Sequence, residues 1–141
     1  MTRHFRIDEA EALLPMLREV LQRAAVIRAE AEKAEQELNS FRESVVRAGG
    51  TRVDHARVLD LRSRLSDSQG RLGRLVEEVQ STGCLIKDLS QGLIDFPALR
   101  NGEEVLLCWK LGEPGIAFWH RMEDGFRGRR PIGKEFGSPE T

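Results

Sequence analysis

Apolar residues recur along the first third of the chain at alternating steps of four and three: Leu13, Leu17, Val20, Ala24, Ile27, Ala31, Ala34, Leu38, Phe41 and Val45. A 3.5-residue period keeps these side chains on one stripe of a helix, and such a stripe is buried against another helix. The alternation returns at Val58, Leu61, Leu65, Ser68, Leu72, Leu75 and Val79. Two stripes joined by a short loop predict an antiparallel, coiled-coil-like helical hairpin over 8–82. Asp8 is expected to cap the first helix, with Glu11 reaching back as in a capping box. Pro15, two turns in, either bends that helix or restarts it. Gly49-Gly50 ends it, and Thr51 or Asp54 caps the second helix. Ser68 breaks the second stripe beside Gly70 and Gly73. A small residue there lets the helices approach opposite Ala31 or Ala24, or else leaves a hinge or a ligand slot.

After Gly83 the period changes to two. Strands are expected at Cys84–Leu89, Leu93–Leu99, Glu103–Leu111 and Ile116–Arg121. Asn101-Gly102 is a strong signal for a type I′ hairpin turn, and Pro97 places its strand at an edge or a bulge. The fold class that follows is α+β: one domain over 1–141, with the hairpin, an antiparallel β-meander of three or four strands over 84–122, and an irregular tail over 123–141. Both meander faces are apolar. Leu107, Trp109 and Leu111 share one; Leu106 and Cys108 share the other. The uncovered face needs either the tail, through Phe126, Ile132 and Phe136, or a second subunit burying Trp109 or Trp119. A homodimer is the expected assembly.

Composition narrows the classes. With 40% hydrophobic and 32% charged residues the chain is neither disordered nor membrane-like. A net charge of -1 supplies no field towards nucleic acid or anionic lipid, so neither is an expected partner. Cys84 and Cys108 do not make a disulfide framework and read as reduced thiols. No run approaches the roughly 20 apolar residues that span a bilayer, and Met1 to Ile7 lacks a signal-peptide core. The expected location is cytoplasmic.

Chemistry concentrates between Cys108 and His120, where a tight turn brings two strands together. If the loop is odd in length, Cys108 lies opposite His120, with Glu113 on the turn. Imidazole and carboxylate are ligands that zinc accepts. The candidate metal ligands are therefore Asp88, Asp95, Glu113 and His120. Cys108 is the weakest member, since a buried cysteine behaves as a small hydrophobe. The plainer reading has Asp88 and Asp95 capping turns and Arg129 fork-paired with Glu113 or Asp95. Arg127-Gly128-Arg129-Arg130-Pro131, with Lys134, forms a small basic cluster that could hold an anion. No Ser/His/Asp arrangement or phosphate-cradling glycine motif is visible, and no catalytic residue is assigned.

Three segments carry a resemblance. Phe5-x-x-x-Glu9-Ala10-x-x-Leu13-Leu14-Pro15 is the first, and Lys87-Asp88-Leu89-x-x-Gly92-Leu93-Ile94-Asp95-Phe96-Pro97 the second. The third is Cys108-Trp109-x-Leu111-Gly112-Glu113-x-x-Ile116-x-Phe118-Trp119-His120, followed by Gly125-Phe126-x-Gly128-Arg129-x-Pro131. Together they resemble the prokaryotic family known as domain of unknown function 2203. The resemblance implies a small cytosolic bacterial protein and lends no catalytic residue. Two functions remain in view. One is a non-enzymatic oligomeric interaction module that uses the helical arm for a protein partner and holds a divalent metal such as zinc. The other is a metal-dependent enzyme or small-ligand-binding protein with its site on the meander.

Overall fold

The computed structural model describes residues 2–47, 49 and 54–133. Helix α1 (Ile7–Arg47) and helix α2 (His55–Gln80) precede strands β1 (Leu85–Asp88), β2 (Leu93–Arg100), β3 (Glu103–Lys110), β4 (Phe118–Arg121) and β5 (Arg130–Pro131). A single 3-10 turn, Phe126–Gly128, lies before β5. The architecture is α+β, as the periodicities require. The chain folds as two compact units: a β unit of 1–22 with 76–141, and a helical unit of 23–75.

The start of α1 differs from the sequence expectation by two residues. The Arg6 N–H donates to Glu9 Oε1 at 2.9 Å, so Arg6 caps the helix and Glu9 is the residue that reaches back. Asp8 instead pairs with the Arg6 guanidinium at 3.1 Å. Glu11 is thereby left to bond across to the β unit's loop, where its Oε1 accepts from the Ile116 N–H at 3.2 Å. Helix α1 passes through Pro15 without interruption, so Pro15 is not a helix start. The hydrogen bond it removes belongs to the Glu11 carbonyl, and Glu11, Ala12 and Pro15 lie on the exposed side of that turn. Asp54 Oδ1 accepts from the Arg57 N–H at 3.1 Å and caps α2; Gly50, Thr51 and Phe136 lie outside the described residues.

In the helical unit, Ala24, Ile27, Ala34 and Leu38 of the first stripe are buried, as are Leu61 and Ser68 of the second. Arg57 pairs with Glu37, and further along α2 Arg71 pairs with Glu30 at 3.1 Å. Advancing on α2 therefore means retreating on α1, which makes the helices antiparallel neighbours there. Ser68 is buried and lines a groove with Ala34 and Leu61.

The β unit carries a five-stranded antiparallel sheet in the order β1-β2-β3-β4-β5. Asn101 and Gly102 both have positive φ, 51° and 82°, as a type I′ turn demands. That turn sets Arg100 opposite Glu103, and the pairing runs without slip back to Leu93 opposite Lys110. Pro97 sits in an interior strand, not an edge strand. Its tolerance comes from where β1 stops: that neighbour pairs only as far as Asp95. The Pro97 carbonyl takes the Phe5 N–H at 2.7 Å, on the side where a proline has no N–H to lose. Gly92 has φ +68° and is packed so closely that a Cβ would stand 2.6 Å from that of Leu111.

Both sheet faces are buried within the one chain. Ile94, Phe96, Ala98, Val105, Leu107, Trp109 and Trp119 fill one face. Phe5 meets Phe96 edge-on at 5.4 Å, and the Arg18 guanidinium lies over Trp109. The expectation that Trp109 or Trp119 waits for a second subunit is therefore overturned: they are 0% and 2% exposed in the single chain. The tail folds back over the other face. Its strand β5 pairs Pro131 with Phe118, the Ile132 N–H reaches the Ala117 carbonyl at 2.9 Å, and Arg129 is sandwiched over Phe118 and Phe126 at 3.9 and 4.5 Å.

Candidate functional site

The tail-covered face of the sheet carries three polar or reactive side chains among apolar ones. Asp95 on β2 lies directly opposite Cys108 on β3, and His120 on β4 lies opposite Leu106. Cys108 thus faces Phe118, two positions from the register expected for His120. The slip of two preserves parity, so both side chains stay on one face. Asp95, Cys108 and His120 are 2%, 2% and 3% exposed. Their ligand-type atoms lie within 4.8 Å of one another, and theirs is the one such cluster found among the described residues.

The hydrogen bonds of the cluster are specific. His120 Nε2 is 3.1 Å from Asp95 Oδ2, and its Nδ1 is 2.9 Å from the Arg121 carbonyl oxygen. The Cys108 thiol also bonds to Asp95. Burial pushes the Asp95 carboxyl above its ordinary range, against the opposing pull of His120 and Lys87. The Cys108 thiol is pushed up to about 12, by burial first and by the nearby Asp95 charge second. Such a thiol is protonated at neutral pH and is no nucleophile. Moreover, its partner is the carboxylate rather than the imidazole, so the cluster lacks the base-to-thiol contact of cysteine hydrolases.

The other two expected ligands are placed elsewhere. Asp88 Oδ1 accepts from the Gln91 N–H at 3.1 Å and from Ser90 Oγ, closing the β1–β2 turn. Glu113 accepts from the Lys110 N–H at 2.7 Å and from Arg129 Nη2 at 2.8 Å. Burial alone would raise the Glu113 carboxyl, but Arg129 and the Lys110 N–H outweigh it and hold the group below its usual range. Arg129 thus takes the structural pairing read from the sequence, through one nitrogen rather than a fork. The rest of that loop is tied as well. Trp109 Nε1 donates to the Glu113 carbonyl at 3.0 Å, and Arg18 Nη2 donates to the Pro114 carbonyl at 3.0 Å. So the structure gathers Asp95 and His120, separates them from Asp88 and Glu113, and adds Cys108. The signal for Cys108 was present: counting outward from Asn101-Gly102 places it against Asp95.

The chain belongs to the family described as Uncharacterized conserved protein (DUF2203), whose model matches residues 3–132. No curated protein and no solved structure matches the chain. Among the described residues, no helix is long and apolar enough to cross a membrane.

Proposed function

We propose that this protein is a non-enzymatic interaction module whose helical unit pairs with a second copy of the chain. The observation that carries the reading is an unfinished stripe. Phe41, Val45, Val58 and Leu65 sit at heptad positions yet remain partly exposed, while Leu38 and Leu61 beside them are buried. A groove of about 800 Å³ runs there, lined by Phe41, Val45 and Leu61 with Lys33, Glu37 and Arg57 on its walls. Apolar floor and mixed-charge walls are self-complementary, which suits an isologous contact that completes a four-helix arrangement. Light scattering over a concentration series tests it. A dimer is expected, and Phe41→Asp should convert it to monomer without loss of helicity. A wild-type monomer at the highest concentration would end the reading.

A second reading, a metal-dependent enzyme or small-ligand-binding protein, draws on the buried cluster. Asp95, Cys108 and His120 line a cavity of about 180 Å³ with Lys87, Met122 and Asp124. That lies below the roughly 300–1,000 Å³ of ordinary ligand pockets, so it suits water or an ion better than an organic substrate. The two readings are tested by different variants: Phe41→Asp acts on self-association, whereas Asp95→Asn acts on ion or ligand binding at the sheet and leaves the oligomeric state unchanged.

A further inference from the structure

His120 commits its two ring nitrogens unequally. A carbonyl oxygen can only accept, so the 2.9 Å contact to the Arg121 carbonyl places a proton on Nδ1. In the neutral ring Nε2 is then a bare lone pair, and it points at Asp95 Oδ2 from 3.1 Å. With Asp95 ionised, two acceptors then face each other in a site where all three side chains are nearly sealed from water. Either a shared proton or a metal cation between them removes that conflict. A metal-ligating histidine is characteristically oriented in this way, its second nitrogen donating to a backbone carbonyl.

From this geometry we infer that Asp95, Cys108 and His120 form a binding site for one divalent cation of the zinc class. One sulfur, one imidazole nitrogen and one carboxylate oxygen form a borderline-soft donor set, which favours zinc-like ions over magnesium or calcium. Ligand bonds of about 2.0–2.3 Å put tetrahedral donor atoms roughly 3.3–3.8 Å apart; the observed cluster, from 3.1 Å to within 4.8 Å, spans that separation. Charge balances too. A thiolate and a carboxylate neutralise a dication, and the Cys108 proton leaves to solvent as the metal–sulfur bond forms. The adjoining cavity of about 180 Å³ gives room for a water as fourth ligand. The ligand set thus keeps Asp95 and His120 from the sequence expectation and replaces Asp88 and Glu113 by Cys108. It goes beyond the interaction reading and stands or falls separately from it.

The probe is Co²⁺ titrated into the full chain carrying no histidine tag. One equivalent should bind, with a thiolate-to-cobalt charge-transfer band and tetrahedral visible bands, and Zn²⁺ should displace it. The chain has two cysteines, Cys84 and Cys108. Cys84→Ser should keep the charge-transfer band and Cys108→Ser should lose it. The first variant assigns the thiolate even if the second fails to fold. His120→Gln should weaken binding by at least about 100-fold, the upper end of what loss of an outer-shell partner costs. No stoichiometric uptake by the wild type, or a band that disappears with Cys84, would overturn the inference. The cluster would then be held by protons shared among Asp95, His120 and Cys108.

Discussion

In the helical unit, Leu65 is partly exposed and its neighbours Arg64 and Asp60 pair at 3.1 Å with both side chains largely in water. In the β unit, Trp109 is fully buried and its indole N–H is bonded to the Glu113 carbonyl. The same chain thus uses two regimes. The helical unit relies on a narrow apolar stripe and on ion pairs that solvent weakens. The β unit buries both faces of its sheet and so must satisfy polar groups in a low-dielectric interior. The consequence is a division of labour: adaptable surface is available in the first, and perturbed chemistry is confined to the second.

Trp109→Ala should break this contrast most strongly. Its loss removes a fully buried ring and orphans a loop carbonyl, at a cost of about 3–5 kcal/mol. Urea unfolding followed by fluorescence checks it, because the remaining tryptophan, Trp119, also lies in the β unit. A cost below about 1 kcal/mol would mean that the sheet is not the rigid element.

Next comes the stripe. Leu61→Ala, at a site 2% exposed, should cost about 2–4 kcal/mol by helical circular dichroism, and Leu65→Ala about 1 kcal/mol. Equal costs at dilute concentration would show the groove to be closed in the isolated chain. Equal costs only at high concentration would sharpen the case for a second copy.

Glu113 gives a pH-dependent test of the β unit. Its folded-state carboxyl is held below the usual value, roughly 4.3, by Arg129 and the Lys110 N–H. A depressed carboxylate contributes stability that is present above its unfolded pKa and lost as pH falls through the folded one. Melting temperature should therefore fall as the pH drops below the usual glutamate range, and Glu113→Gln should flatten that part of the profile. An unchanged slope in the variant would show that other carboxylates carry the acid sensitivity.

The smallest effect belongs to the helical surface. Arg71→Ala removes the pair with Glu30 and should cost no more than about 0.5 kcal/mol, less still at high salt. A loss of several kcal/mol would contradict the solvated-surface description of that unit.

Much of the architecture was legible in the sequence because it is local. Heptad spacing specified two helices, and Asn101-Gly102 specified the β2–β3 register. Two elements escaped. Strand β5 is two residues long in a tail rich in Gly, Pro and Arg, so it has no period to detect. The α1 cap differs from the sequence expectation because several acids lie near the helix start; geometry assigns the backbone contact to Glu9 and leaves Asp8 for Arg6.

The candidate ligands divide along the same line. The sequence by itself determined that Asp88, Asp95, Glu113, His120 and Cys108 would lie on one small meander, because alternation and turn chemistry are properties of neighbouring residues. Even the opposition of Asp95 and Cys108 follows from one two-residue turn. Only the tertiary structure decided which of them meet. The longer β3–β4 connection sets a register that no turn motif specifies, and this places His120 beside Asp95 rather than opposite Cys108. The returning tail brings Arg129 to Glu113 from 16 residues away and withdraws that carboxylate from the cluster. A charge finds its partner by distance in space, and distance in space is set by packing rather than by spacing along the chain.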